Sequence, residues 1–599
     1  MVRAAVISPT LSWPTWIEIQ AGLRVARELP KFLPISRWSL GRLVERNARS
    51  IGDKPALVFL EEHYTWAQVN ESANQYAHFL HGRGIRHGDV IALVMDNRPD
   101  FIFAQMGASK VGAITALINS NLSGKAFTHA INSAKPKLVL AGAEHVGVIN
   151  SVRDQLQFNG GGVVVQVEAG ASYGDLPSIN AELAARPTTN LEGVRIRGKD
   201  VTSYVYTSGT TGLPKAAIIT NQRCMSVAAM FARGMHELME SDVLYVSMPL
   251  YHTSAQSIGW GACALCGATL ALRRKFSASD FWGDTHKYGA THFLYIGEFC
   301  RYLLNTPKSE LERGHKIRVG VGNGLRPDIW KEFQERFGVA LMREFYAATE
   351  GNVPLFNVAG RPGMVGRLPW GAVLIKCDLT TGEPIRNAAG FCEVVGQGST
   401  GLLVARITPW AKFDGYLDKD ATEKKILRDV LKHGDMYCNS GDLLAMHEDN
   451  WVAFADRVGD TFRWKGENVS TNEVGETLNG FPGVLESNVY GVIVFGAEGR
   501  AGMASMNVDD RFDLPGFAKY VQERLPVFMR PYFIRVQREM KITATLKHQK
   551  VDYREQGYDP NKIDDPVYYL SGDSYVPIDA ALYARLMAGE IGPGVTKYR

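Results

Sequence analysis

Tyr206-Thr207-Ser208-Gly209-Thr210-Thr211-Gly212-Leu213-Pro214-Lys215 lies between two apolar, β-prone runs, Val201 to Val205 and Ala216 to Ile219. The stretch reads as a loop joining two strands. Gly209 and Gly212 let the backbone turn tightly and come close to a ligand. Thr207, Ser208, Thr210, Thr211 and Lys215 add four hydroxyls and an ammonium. Hydroxyls, bare amides and an ammonium are what a polyphosphate needs, so the general reading is a nucleotide phosphate clasp. It is not a Walker loop, in which a lysine directly follows glycine and precedes a hydroxyl. Here Pro214 precedes the lysine and Ala216 follows it. The plain alternative is a polar surface hairpin, since Ser, Thr and Gly are ordinary turn residues.

Outward from this loop, the chain shows alternating strand and helix signals. Ala56 to Leu60 reads as a strand, and Thr65 can cap a helix with Val69, Ala73, Ala77 and Leu80 on one face, stopping at Gly82. Val90 to Met95 reads as a strand, Pro99 as a helix start and Gly112 to Leu117 as another strand. That alternation implies a largely parallel sheet. Past Tyr346 glycines and prolines become frequent and short alternating runs point to an antiparallel or barrel-like section. The charged run Asp418 to His433 suggests an exposed helix, and composition changes again between Asp456 and Asp460.

With 599 residues the chain needs more than one core. A net charge of +4 on this length gives no case for nucleic-acid binding. Seven scattered cysteines do not make a disulfide framework and favour a reducing cytoplasmic setting, with Cys263 and Cys266 as buried structural thiols. No run reaches the ~20 apolar residues of a spanning helix, and the N-terminus lacks a signal-peptide pattern. Ser254 to Leu272 reads as a buried helix and strand. Trp16, Ile19, Leu23 and Ala26 recur at helical spacing against Arg24, Arg27 and Glu28. Such a stripe suits either the protein's own surface or a membrane interface.

The string from Tyr206 to Lys215 resembles, residue for residue, the phosphate loop of the adenylate-forming superfamily of acyl-CoA synthetases, luciferases and peptide-synthetase adenylation domains. Further segments follow in the superfamily's order. Phe345-Tyr346-Ala347-Ala348-Thr349-Glu350 resembles its Tyr-Gly-x-Thr-Glu segment, with Ala347 in place of glycine. The resemblance implies Tyr346 and Ala347 at the adenine, Thr349 at the α-phosphate, and Glu350 with Thr207 at magnesium. Gly322-Asn323-Gly324 matches the turn that lies against adenine, while Asn439-Ser440-Gly441-Asp442 matches the Ser/Thr-Gly-Asp segment. Asp442 would then hold the ribose diol, and Arg457 would be a second nucleotide contact. Asp460 takes the hinge position and Gly466 the segment serving the thioester step. Thr543-Ala544-Thr545-Leu546-Lys547 resembles the segment of the adenylation lysine, with Ala544 where glycine is usual. Pro249-Leu250-Tyr251-His252 resembles a segment beside the acyl carboxylate, making Tyr251 and His252 weaker substrate candidates.

Four strings narrow the resemblance to the fatty acid transport protein branch, the very-long-chain acyl-CoA synthetases and their bacterial relatives. They are Trp38 to Gly41, Tyr295 to Asn305, Gly322 to Arg326 and Asp460 to Thr471. The resemblance implies an α/β fold. Residues 1–457 would form a large N-terminal domain of βαβ sheet subdomains plus a distorted β-barrel. Residues 458–599 would form a smaller, mobile α+β C-terminal domain. It implies ATP, Mg2+ and coenzyme A as cofactors and co-substrates, and a long- or very-long-chain fatty acid as substrate. A homodimer and a peripheral contact at the inner face of the membrane are compatible with it. Competing readings are a ligase for sterol, bile-type or aromatic acids, an amino-acid adenylation module, a membrane transport protein and a catalytically dead nucleotide binder.

Overall fold

In the computed structural model, residues 15–166, 176–207, 213–379, 381–408, 411–458, 460–464, 467–495, 499–537 and 550–592 are described. Two large sheets carry the first half of the chain. One has six strands in the order Gly162–Gln166, Leu138–Gly142, Val90–Val94, Ile114–Leu117, Val201–Thr207 and Lys215–Thr220. It is parallel except for its last pair, an antiparallel hairpin in which Thr207 faces Lys215. The phosphate-loop string therefore does join two strands, although Ser208 to Gly212 lie outside the described residues.

The second sheet has eight strands, with Val319–Asn323 and Leu341–Tyr346 parallel to each other near one edge. The helices Trp66–Gly82 and Pro99–Val111 belong to one apolar core that both sheets share. Thr65 caps the first of them by accepting the Gln68 amide, and Val69, Ala73, Ala77 and Leu80 are all buried as the periodicity requires. The Ser254 to Leu272 run is buried, but its first turns, Ser254–Gly261, are a π-helix. Cys263 is buried, Cys266 less so, and both are free thiols whose pKa burial raises.

A third, antiparallel sheet follows, in the order Gly366–Arg367, Trp451–Arg457, Met436–Met446, Thr400–Arg406 and Ala372–Ile375. The expected helix from Asp418 to His433 is only Lys419–Glu423, followed by the strand Ile426–Arg428. Asp435 is the reason. Its carboxylate accepts the amides of Val430, Leu431 and Lys432, folding the chain into a tight turn that returns it to the sheet. From Phe462 to Leu586 a separate apolar core is built around the five-stranded sheet that begins with Val484–Val492 and Ala501–Val508.

The N-terminal helix Trp16–Ala26 does dock on the protein, though not by the stripe that its spacing suggested. Trp16 is 68% exposed and Leu23 59% exposed, while Ala21 is buried. Beside Ala21, which joins the main apolar core, the contacts that hold it are polar. Glu18 pairs with Arg367, and Arg24 pairs with Glu237 and donates to the Arg233 carbonyl. Ion pairs to the body thus outweigh the apolar periodicity in setting which side faces inward.

Candidate active site

Several of the residues that the sequence points to, Tyr346, Asp442, Arg457 and the Gly322 to Gly324 turn, lie together at the edge between the eight-stranded and the antiparallel sheets. Tyr346 ends the strand Leu341–Tyr346, and its hydroxyl donates to Asp442 Oδ2 at 2.6 Å. Burial first, and the Asp442 carboxylate second, push that hydroxyl well above the ordinary tyrosine range, so it stays a donor. Asp442 lies opposite Arg457 in the register of the antiparallel sheet, and Arg457 Nε donates to Asp442 Oδ1 at 3.3 Å. The turn before Asp442 depends on Gly441, whose φ of +80° an L side chain seldom adopts. Asn439 Oδ1 accepts the Gly441 amide and fixes that turn.

On the other side of Tyr346, Gly322, Asn323 and Gly324 end the neighbouring strand Val319–Asn323 and open its turn. A Cβ on Gly322 would meet the Tyr295 carbonyl at 2.2 Å, so only glycine allows this packing. Glu344, which the sequence reading passed over, holds the turn in place. Its buried carboxyl accepts the Gly324 amide at 2.9 Å, the Leu325 amide at 3.0 Å and the Tyr295 hydroxyl at 2.8 Å. Burial raises its pKa to about 8 despite these three donors. The signal available was an acid inside the apolar run from Leu341 to Tyr346.

Beside the hairpin, Thr207, Glu350, Lys425 and Tyr416 come together. The segment Gly415 to Leu417 runs along the strand Lys215–Thr220, with the Ile218 amide bonded to Gly415 and the Leu417 amide to Ala216. That seat brings Tyr416 close to Glu350 and Thr207. Burial first, then the Glu350 carboxylate, raise the Tyr416 pKa, so it too remains protonated. Lys425 Nζ stands 4.0 Å from Glu350 Oε1 and 3.0 Å from the Ser440 carbonyl. Neither Tyr416 nor Lys425 was found from the sequence, because each lies within a stretch that carries no compact motif. A carboxylate and two hydroxyls are hard oxygen donors of the kind magnesium takes, so this set fits that ion. Ala347 and Thr349 lie in the same turn, beside Tyr346 and Glu350.

Other sites stand apart or out of view. Tyr251 is buried and its hydroxyl accepts from Asn121. His252 Nδ1 accepts the Ser254 amide at 3.3 Å, which fits a capping role for the π-helix as well as a substrate one. Asp460 pairs with Arg554 at 2.9 Å and Lys550 at 3.4 Å, and its amide donates to the Arg457 carbonyl at 2.9 Å. Lys547, Gly466 and Ser208, Gly209, Thr210, Thr211 and Gly212 lie outside the described residues.

The strand hairpin of Thr207 and Lys215, a carboxylate held by Tyr346 and Arg457, and a tyrosine beside a glycine turn are the parts that an adenylate-forming enzyme of the AMP-binding kind would use. The comparisons agree. The model of the AMP-binding enzyme family matches residues 44–406. Long-chain fatty acid transport protein 2 of Rattus norvegicus is 42% identical over 90% of this chain and 88% of its own length. The medium/long-chain-fatty-acid–CoA ligase FadD6 of Mycobacterium tuberculosis is 38% identical over 91% of this chain and 90% of its own. Among solved structures, an anthranilate CoA ligase with anthranoyl-AMP aligns with a TM-score of 0.75 at 22% identity, covering 88% of this chain and 98% of that one. ATP-bound MatB from Rhodopseudomonas palustris aligns with a TM-score of 0.73 at 20% identity, covering 87% and 99%. This chain belongs to the AMP-binding enzyme family.

Proposed function

We infer that the protein is an AMP-forming fatty-acid–CoA ligase acting on long-chain acids. The single observation carrying the reading is the convergence of Tyr346, Asp442, Arg457, Thr207 and Glu350 on one ledge, in a chain whose relatives bear fatty-acid names. In the first step a carboxylate oxygen attacks the α-phosphorus of ATP, and the bond to pyrophosphate breaks. In the second, the coenzyme A thiol attacks the acyl carbonyl, AMP leaves and the thiol proton passes to solvent.

Each residue has a part. Tyr346, Ala347 and the turn Gly322, Asn323 and Gly324 flank the adenine. Asp442 accepts both ribose hydroxyls, since a carboxylate has lone pairs beyond those taken by Tyr346 and Arg457. Ser208, Gly209, Thr210, Thr211, Gly212 and Lys215 enclose the β- and γ-phosphates, and Thr349 contacts the α-phosphate. Glu350 and Thr207 would hold magnesium, which when bound would neutralise phosphate charge. Lys547 bridges the carboxylate and the α-phosphate as negative charge crowds there. Residues 458–599 act as the mobile domain, turning about Asp460 so that the Gly466 segment replaces Lys547 for the thioester step. Tyr251 and His252 border the acyl carboxylate.

Among the described residues no helix is long and apolar enough to cross a membrane. Exposed Trp16, Ile17 and Leu23 on the docked N-terminal helix, with Arg27 beside them, supply a surface for peripheral membrane contact. The deciding experiment is a pyrophosphate-release screen over long-chain fatty, aromatic, sterol and amino acids. Release should depend on the long-chain fatty acid and be accompanied by its CoA thioester. A preference for an amino acid would overturn the reading.

A further inference from the structure

Arg223 sits in the first turn of the helix Asn221–Ala229, immediately after the strand that begins with Lys215. Thr220 caps that helix and accepts the Arg223 amide, tying the arginine to the end of the phosphate-loop hairpin. The guanidinium reaches across to the other half of the phosphate subsite. Its Nη2 donates to the Thr349 carbonyl at 2.5 Å, to Ala348 at 3.4 Å and to the Gly351 carbonyl, while Nη1 donates to Glu350 at 3.3 Å. Among the described residues no carboxylate forms an ion pair with it. Asp414 and Glu350 act on it only through their fields.

Four consecutive carbonyls gathered on one cation is an unusual arrangement for a segment outside any helix or strand. Such a segment has no ladder to fix it, so a donor with a rigid planar fork is what holds its carbonyls to one side. An ammonium could satisfy fewer of them, because it is a point charge rather than a fork. With the carbonyls turned to Arg223, the Glu350 side chain is left to face Tyr416 and Lys425. We propose that Arg223 is a positioning residue that locks the Thr349–Glu350 segment to the phosphate-loop hairpin, fixing the magnesium and α-phosphate contacts in one geometry. The proposal rests on the ligase reading for the identity of the ligand, and on the hydrogen bonds for the rest.

The test uses Arg223→Met and Arg223→Lys in the full chain. Calorimetric binding of ATP with and without magnesium reads the subsite with no acyl substrate present. Pyrophosphate release and thioester formation from supplied acyl-adenylate are measured separately. Arg223→Met should weaken magnesium-dependent ATP binding and slow adenylation by about 10–100-fold, as loss of a partner behind a ligand does. Thioester formation, which needs the α-phosphate contact but no magnesium, should fall several-fold less than adenylation, and Arg223→Lys should recover part of the adenylation loss. Folding is checked by circular dichroism. Unchanged magnesium dependence in folded variants, equal loss of both half-reactions, or failure of both variants to fold would each overturn the proposal. If wild type binds Mg-ATP yet releases no pyrophosphate with any fatty acid, the ligase reading has failed, and the binding data still decide the role of Arg223.

Discussion

The two sides of the nucleotide ledge are built on different principles. The base and ribose side is already satisfied from within. Tyr346, Asp442 and Arg457 bond one another, and Glu344 draws in the Gly324 and Leu325 amides. The proposed phosphate side is held more loosely, since Glu350 and Lys425 stand 4.0 Å apart and the Thr207 hydroxyl reaches the Lys215 carbonyl at 3.5 Å. A neutral base and diol can be met by groups that already hold each other in place. A polyanion with its metal needs charges not yet committed. Changes on the phosphate side should therefore appear as lost rate on a stable protein, and changes on the base side as lost stability with milder kinetic effects.

The largest effect is expected on the phosphate side. Glu350→Gln removes the charge proposed to hold magnesium, and Lys547→Ala removes the charge proposed to bridge the reacting anions. Each should lower adenylation by about 10²–10³-fold, the usual cost of one such electrostatic group. For Lys547→Ala, conversion of supplied acyl-adenylate to thioester should survive. Melting temperatures matching wild type in both variants would sharpen the comparison, and a large fall in either would break it.

Next comes the pivot. Proline at 460 fixes φ near −65°, within about 15°. It also deletes the amide that donates to the Arg457 carbonyl. Asp460→Pro further frees Arg554 and Lys550 from their shared carboxylate. Acyl-adenylate should still form and its conversion to thioester should become the slow step. Separate assays of pyrophosphate and thioester decide this, and unimpaired thioester formation places the pivot elsewhere.

On the ribose side, Asp442→Asn weakens a charged acceptor that serves Tyr346, Arg457 and the diol together. Hydrogen bonds to charged groups contribute about 1.5–3 kcal/mol. The KM for ATP should therefore rise by roughly tenfold to a hundredfold, with a fall in melting temperature that Glu350→Gln does not share. Equal melting temperatures for the two variants would erase the distinction drawn above.

Much of this ledge was legible because its contacts come from compact strings. The segment around Tyr346, the Asn439 to Asp442 turn and Arg457 each keep chemistry and turn residues within a few positions. Arg223, Glu344, Tyr416 and Lys425 were not legible, because their partners are distant in sequence and each alone reads as an ordinary charged or aromatic residue. Arg223 meets its carbonyls more than a hundred positions away. The fold followed the same rule. Apart from the short strand Glu62–Thr65, the strands and helices from Pro55 to Leu117 followed from local periodicity, whereas the turn built by Asp435 and the face on which the N-terminal helix docks were set by polar contacts.

The smallest kinetic effect, and the sharpest test of the base side, belongs to Glu344. Its ordinary pKa of 4.5 is raised by burial to about 8, so the folded protein keeps a proton that the unfolded chain loses. Between those values the native state binds more protons than the unfolded one, and stability must fall as pH rises. The contribution is complete below about 4.5 and gone above about 8. Glu344→Gln keeps a neutral group of the same shape but turns an NH2 toward one of the three donors, at a cost of about 1–3 kcal/mol. The variant should thus melt below wild type at pH 5, and the gap should close or reverse above pH 8, where the wild type carries a buried carboxylate. The KM for ATP should shift by less than the Asp442→Asn change, because the Gly322 to Gly324 turn loses one contact and retains the others. Thermal melts of both proteins at several pH values measure this directly. Parallel curves across the whole range would show that Glu344 does not titrate in that window, and that the base side is held by something other than this buried carboxyl.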